Sequence, residues 1–191
     1  MITAILMAAG FSRRFQTDKL MLDFHGKPVI ARTMAAILAC PFGEKLLITQ
    51  SNTHVELAKN YDFISYINSQ AAIGQTASIQ LGVSHSPKDS AYMFFVGDQP
   101  CLTSAVINRL IAEHEQHEEM IIVPTVSGNY KNPVIFPASF RDELLSLTGD
   151  TGGRKIITAH PECVREISFK DNLPFTDMDT PDEYQRLLSK G

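Results

Sequence analysis

Three short stretches hold the residue types that could do chemistry. The first is Ala8-Ala9-Gly10-Phe11-Ser12-Arg13-Arg14, which leads on to Lys19. It follows an apolar run of strand length, Ala4 to Ala8. A strand that stops on small residues brings bare backbone close to whatever lies beyond its carboxyl end. In open α/β sheets that end is where ligands sit. Backbone N–H groups in such a turn can cradle phosphate oxygens, Gly10 can take positive φ, and the Arg and Lys side chains add charge. This is the chemistry of a nucleotide or phosphate site. The plain alternative is a strand-to-loop turn beside a solvated basic patch. The dinucleotide fingerprint needs three glycines where only Gly10 stands, and the Walker pattern is absent as well.

The second stretch is Gly97-Asp98-Gln99-Pro100, directly after the apolar run Ala91 to Val96. It sets a carboxylate at the carboxyl edge of a buried strand. Mg²⁺ is held by one or two such acids together with substrate phosphates. A turn-forming Asp that caps the next helix is the alternative, although Thr103 and Ser104 stand nearer that helix. The third stretch is Asp177-Met178-Asp179-Thr180-Pro181-Asp182-Glu183. Alternation puts Asp177 and Asp179 on one side of an extended segment, where a second metal ligand could come from. On local sequence alone the better reading is that Asp179 or Thr180 caps the last helix, with Asp182 and Glu183 in its first turn.

Alternating strands and helices would position these stretches. Helical patterns cover Lys27 to Leu38, Asn52 or Thr53 to Lys59, Gly74 to Val83, Thr103 to Glu115, Phe140 to Leu147, Arg154 to Ala159 and Asp182 to Leu188. Strand patterns cover Lys45 to Thr49, Phe63 to Ile67, Ala91 to Val96, Met120 to Val123, Asn132 to Phe136 and an edge strand from Val164 to Ile167. Ala91 to Val96 is apolar throughout, which fits a central strand covered on both faces. The alternation predicts an α/β fold, a three-layer α/β/α sandwich around a mostly parallel sheet.

With 191 residues the chain is expected to be a single domain, 1–191. Its 44% hydrophobic and 20% charged residues describe a globular protein, and the net charge of -4 argues against a dedicated nucleic-acid binder. No apolar run is long enough to span a bilayer, and no basic region precedes the first one. Three widely spaced cysteines, Cys40, Cys101 and Cys163, form neither a disulfide framework nor a metal-ligand pattern, so a cytoplasmic setting is expected.

Taken together, Met7-Ala-Ala-Gly-Phe-Ser-Arg-Arg-Phe, Lys19-Leu-Met-Leu, Gly97-Asp-Gln-Pro and Asp179-Thr-Pro-Asp-Glu resemble the nucleotidyltransferases with a Rossmann-like, glycosyltransferase-A type fold. Within them the resemblance is to the molybdenum cofactor cytidylyltransferase family. Gly74-Gln-Thr-Ala-Ser-Ile-Gln-Leu-Gly, Asn132-Pro-Val-Ile-Phe and Leu147-Thr-Gly-Asp-Thr-Gly-Gly-Arg extend it over nearly the whole chain. Phe15-Gln16 departs from the family's Met-Gly, and Asn132 from its His.

The resemblance implies transfer of a nucleoside monophosphate, CMP from CTP, to a phosphorylated acceptor. The acceptor it implies is molybdopterin carrying molybdenum, with Mg²⁺ as cofactor and pyrophosphate released. Lys19, Asp98 and Arg13 would carry the catalysis. Ala8, Ala9, Gly10, Ser12, Arg13, Lys19, Gly74 and Ser78 would bind the nucleotide, and Asp98 and Asp179 the metal. Asn132, Asp150 and Arg154 would meet the acceptor. A molybdoenzyme or chaperone would be the protein partner, with neither nucleic acid nor membrane involved. CTP is implied over GTP because guanylyl-transferring relatives tend to carry Ala-Gly-Gly where this chain has Ala8-Ala9-Gly10.

Guanylyl and sugar-phosphate transfer remain open on the same fold. From other classes there remain an NAD(P)-dependent reductase, which the missing fingerprint disfavours, and a non-catalytic cofactor-binding module. His25 before Gly26 reads as a turn residue. His114 and His117, among Glu113, Glu115, Glu118 and Glu119, read as a solvated helix face.

Overall fold

The computed structural model describes residues 1–10, 15 and 17–190. Its strands and helices alternate as the hydrophobic patterning requires. They are β1 (Ile2–Ala8), α1 (Val29–Leu38), β2 (Glu44–Thr49), α2 (Asn52–Ala58), β3 (Ile64–Ile67), α3 (Gln75–Ser84), β4 (Ala91–Val96) and α4 (Ser104–Gln116). There follow β5 (Ile121–Val126), β6 (Asn129–Tyr130), β7 (Val134–Phe136), α5 (Arg141–Ser146), α6 (Arg154–Ala159), β8 (Val164–Phe169) and α7 (Pro181–Leu188).

The strands form one sheet in the order β3-β2-β1-β4-β7-β5-β6, with β8 paired to β5. β1 runs parallel to β2 and β4, β2 to β3, and β5 to β8. β7 is antiparallel to both β4 and β5, so β5 and β8 point the same way as β4. The carboxyl ends of β1, β2, β3, β4, β5 and β8 therefore share one edge, and the amino end of the reversed strand β7 joins them there. This geometry gathers the chemically interesting stretches.

Both faces of the sheet are covered. Ala4, Leu6, Met93 and Phe95 meet α1 and α4 through Ile30, Met34, Ile107 and Leu110. Ile5, Tyr92 and Phe94 alternate to the other face, where Ile79 of α3, Leu144 of α5 and Ile156 of α6 pack. β4 is buried from Ala91 to Phe95, as a strand with helices on both sides must be.

The structure moves several boundaries. Ser51, not Asn52 or Thr53, caps α2, its hydroxyl accepting from the His54 N–H. β5 continues to Val126 and turns through Ser127 and Gly128, both at positive φ, into β6, a hairpin absent from the sequence reading. α4 corrects the reading of His114 as part of a solvated face. Glu115, Glu118 and Glu119 are exposed, but His114 is buried on the inner side, where loss of hydration lowers its pKa. His25 does sit in a turn, at φ 52 before Gly26 at φ 79. Among the described residues, no helix is long and apolar enough to cross a membrane.

Candidate active site

Where β1 and β4 end side by side, Ala8, Ala9, Gly10, Gly97 and Asp98 line a cavity of about 400 Å³. Lys19, Gly74, Gln75 and Ser78 complete much of its wall. Its size fits a small-molecule ligand. The expectations for Ser12 and Arg13 lie outside the described residues.

Lys19 is the centre of the polar cluster. Its Nζ donates to Asp98 Oδ2 at 2.6 Å, to Asp179 Oδ1 at 3.0 Å and to the Met178 carbonyl at 2.9 Å. Burial by itself would lower the lysine pKa. The carboxylates, Asp98 first, outweigh that and hold the pKa above its ordinary value. The Met178 N–H donates to the Asp98 carbonyl at 2.9 Å, so the carboxyl end of β4 and the segment before α7 are stitched through backbone as well.

Alternation holds in that segment: Met178 is fully buried while Asp177 and Asp179 face outward. Their partners differ, because Asp177 accepts from Gln99 Nε2 at 2.9 Å and Asp179 meets Lys19. The Asp177 carboxyl is pushed up to about 6. Loss of hydration is the main cause and the Asp98 carboxylate the next, against the pull of the Gln99 amide. Asp98 and Asp179 thus converge on the Lys19 ammonium, while Asp177 stands beside them on Gln99.

The cap question at the last helix has a definite answer. Thr180 is the N-cap, its Oγ1 accepting from the Glu183 N–H at 3.2 Å. Glu183 Oε2 accepts in return from the Asp179 N–H at 3.0 Å and from Thr180 Oγ1 at 3.1 Å, a box like the capping box but reaching one residue ahead of the N-cap. The box fixes the Asp179 backbone and leaves its carboxylate to Lys19. Thr180→Ala is expected to cost about 1 kcal/mol of stability. It is also expected to weaken any divalent-metal binding at Asp179, because Glu183, which accepts from the Asp179 N–H, loses the Thr180 hydroxyl that helps to hold it. Thermal melts and a Mn²⁺ titration of the same variant check both effects.

Several residues that shape the cavity escaped the sequence reading. Asp18 caps the Lys19 turn, its Oδ1 accepting from the Leu20 N–H at 3.1 Å, and its Oδ2 lies 2.8 Å from His54 Nε2. His54 is buried, and its Nδ1 is 2.8 Å from Thr49 Oγ1, which in turn donates to the Ala8 carbonyl at 3.4 Å. This chain of contacts links the end of β1 to the turn that carries Lys19. The Gln50 amide donates to the Ala9 carbonyl. Asn68 Nδ2 donates to Ser78 Oγ at 3.0 Å and so fixes that hydroxyl at the cavity wall. A polar residue immediately before Lys19 was the one local signal, and it pointed to Asp18.

A second cavity, of about 220 Å³, adjoins the first, and Met7 and Gln75 line both. Its floor is apolar, from Phe94, Val134 and Phe136, and its rim carries Lys131, Asn132 and Arg154. Asp150, grouped with Asn132 and Arg154 by the sequence reading, lines the first cavity instead. Its Oδ1 accepts from the Gln75 N–H at 2.9 Å. Gly74, at φ 100, allows this approach, because any Cβ there would collide with the Asp150 carboxylate.

Known proteins resemble this chain in sequence and in fold. The model of the MobA-like NTP transferase domain matches residues 4–164. A probable molybdenum cofactor guanylyltransferase of Natranaerobius thermophilus is 28% identical over 132 residues, 68% of this chain and 63% of its own length. The purine catabolism protein PucB of Bacillus subtilis is 24% identical over 198 residues, 96% of this chain and 94% of its own. Among solved structures, the manganese complex of Rv0371C from Mycobacterium tuberculosis H37Rv superposes with a TM-score of 0.80 at 24% identity, covering 100% of this chain and 99% of that one. That likeness establishes the fold.

Proposed function

The chain belongs to the MobA-like NTP transferase family, and from that premise we propose that residues 1–191 act as one unit that transfers a nucleoside monophosphate from a nucleoside triphosphate to a phosphorylated, pterin-type acceptor. The observation that carries this reading is the pair of adjoining cavities. One sets Lys19 and Asp98 beside bare backbone at the ends of β1 and β4, with Asp179 on the same ammonium. The other presents Lys131 and Arg154 above an apolar floor. Two substrates placed on either side of Met7 and Gln75 would meet where the cavities join.

In the reaction an acceptor phosphate oxygen forms a bond to the α-phosphorus of the triphosphate. The bond from that phosphorus to the bridging oxygen breaks, and pyrophosphate leaves with the electron pair. The attacking phosphate is already anionic, so no general base is required. The chain's work is positioning and charge placement. Ala8, Ala9 and Gly10 offer backbone to the nucleotide, Ser78 and Gly74 line its opposite wall, and Lys19 turns its ammonium toward the phosphates. Asn132 and Arg154 orient the acceptor.

Asp98 and Asp179 would hold a divalent cation. Two carboxylates that already converge on one positive charge are an oxygen-only donor set of the kind Mg²⁺ takes. A bound Mg²⁺ would neutralise triphosphate charge as a Lewis acid. The manganese complex of the mycobacterial structural neighbour supports a divalent metal here.

For the donor base, relatives named as molybdenum cofactor guanylyltransferases support GTP and not the CTP implied by the motif resemblance. The Ala8-Ala9-Gly10 end of β1 favours the second reading, CTP. Pyrophosphate release from GTP and from CTP, with Mg²⁺ and molybdenum cofactor present, separates them. Release with one base alone identifies the donor. Release with neither, while nucleotide still binds, overturns the pterin acceptor.

A further inference from the structure

At the opposite edge of the sheet, ahead of β8, the turn His160-Pro161-Glu162-Cys163 gathers three metal-ligating side chains. The Cys163 N–H donates to the His160 carbonyl at 3.0 Å, which closes the turn. His160 Nδ1 lies 3.6 Å from Glu162 Oε1, and Cys163 Sγ lies 3.7 Å from the same oxygen. One ligand atom from each of the three falls within 4.8 Å of the others. In a tetrahedral zinc site with ordinary Zn–N, Zn–O and Zn–S bonds, ligand atoms are about 3.3 to 3.6 Å apart. Two separations already approach that spacing, and the third is within 4.8 Å.

The imidazole is prepared for this role. Its other nitrogen, Nε2, lies 2.9 Å from Glu143 Oε2 on α5, and Phe140 packs edge-on against the ring with centroids 5.4 Å apart. A carboxylate on the far nitrogen fixes the tautomer and directs the Nδ1 lone pair at the ligand position, the arrangement that supports histidine ligands in metal sites. A thiolate, a carboxylate and a neutral imidazole balance a divalent charge, and this mixture of soft and borderline donors selects zinc over magnesium.

We propose that His160, Glu162 and Cys163 form a surface zinc site, separate from the nucleotide cavity, with Glu143 as its orienting partner and water as the fourth ligand. Binding takes the Cys163 thiol proton to solvent. The bound ion clamps the turn between α6 and β8 to α5.

Co²⁺ is the probe, because a thiolate ligand gives it a charge-transfer band that oxygen ligands do not. Titration of the full chain is expected to give this band with one equivalent bound. Cys163→Ser is expected to abolish it, while Cys40→Ser and Cys101→Ser keep it. Glu143→Gln is expected to keep the band and to weaken binding about tenfold to a hundredfold. Zn²⁺ is expected to raise the melting temperature of the wild type more than that of Cys163→Ser, whose own melt shows whether it folds. A band that survives in Cys163→Ser, or no band in the wild type, overturns the site.

Discussion

Replacement of Asp98 by asparagine is expected to reduce nucleotidyl transfer by about a thousandfold, roughly 4 kcal/mol of transition-state stabilisation. The substitution keeps the shape of the side chain and removes its charge. Asp98 is the closest carboxylate to Lys19, at 2.6 Å, and its side chain is only 18% exposed, so its interactions are weakly screened. The fold is expected to survive, because the carbonyl of residue 98 still accepts from the Met178 N–H. Pyrophosphate release measures the loss, and a Mn²⁺ titration measures metal affinity in the same variant. Near-wild-type turnover would remove Asp98 from the metal site. Lost turnover with unchanged Mn²⁺ affinity would leave it another catalytic role.

Lys19→Met is expected to move two measurements in opposite directions. The ammonium occupies the place between Asp98 and Asp179 where a divalent cation would sit. It must leave that place for metal to enter, and the arriving phosphates give it somewhere to go. Without the ammonium, the two carboxylates repel one another and attract a cation more strongly. Mn²⁺ is therefore expected to bind the variant more tightly than the wild type when no nucleotide is present. Turnover is expected to fall by about a hundredfold or more, because the phosphates lose the charge of that ammonium. Weaker Mn²⁺ binding in Lys19→Met would show that the lysine assists metal binding and does not compete with it.

The parts of the site that were legible in the sequence are the parts made by neighbours along the chain. Ala8-Ala9-Gly10 announces a strand end with bare backbone, because small residues after an apolar run leave little else to form there. Gly97-Asp98 follows a run apolar enough to require burial on both faces. Asp179-Thr180-Pro181 with Asp182 and Glu183 marks the start of a helix. Only the structure decided the cap, by giving it to Thr180 and not to Asp179.

Other features depend on contacts that no local pattern encodes. His54, in the middle of α2, carries no sequence mark of its place beneath Asp18 and Thr49. Asn68 is ordinary in sequence until α3 sets Ser78 against it. Asp150 belongs by motif to the acceptor loop, yet the bend at Gly74 brings α3 close enough for Asp150 to cap the Gln75 N–H. His114 sits among glutamates and is nevertheless buried, because one side of α4 faces the sheet.

By itself the sequence determined the alternation of strands and helices, the burial of β4 and the residue types at the strand ends, since propensity, periodicity and capping act over a few residues. Tertiary structure alone decided that Lys19 meets Asp98 and Asp179, 79 and 160 positions away. It alone decided that the reversed strand β7 delivers Asn132 to the same edge. Strand order and direction are set by how two helical layers cover the sheet, and that is a property of the whole core.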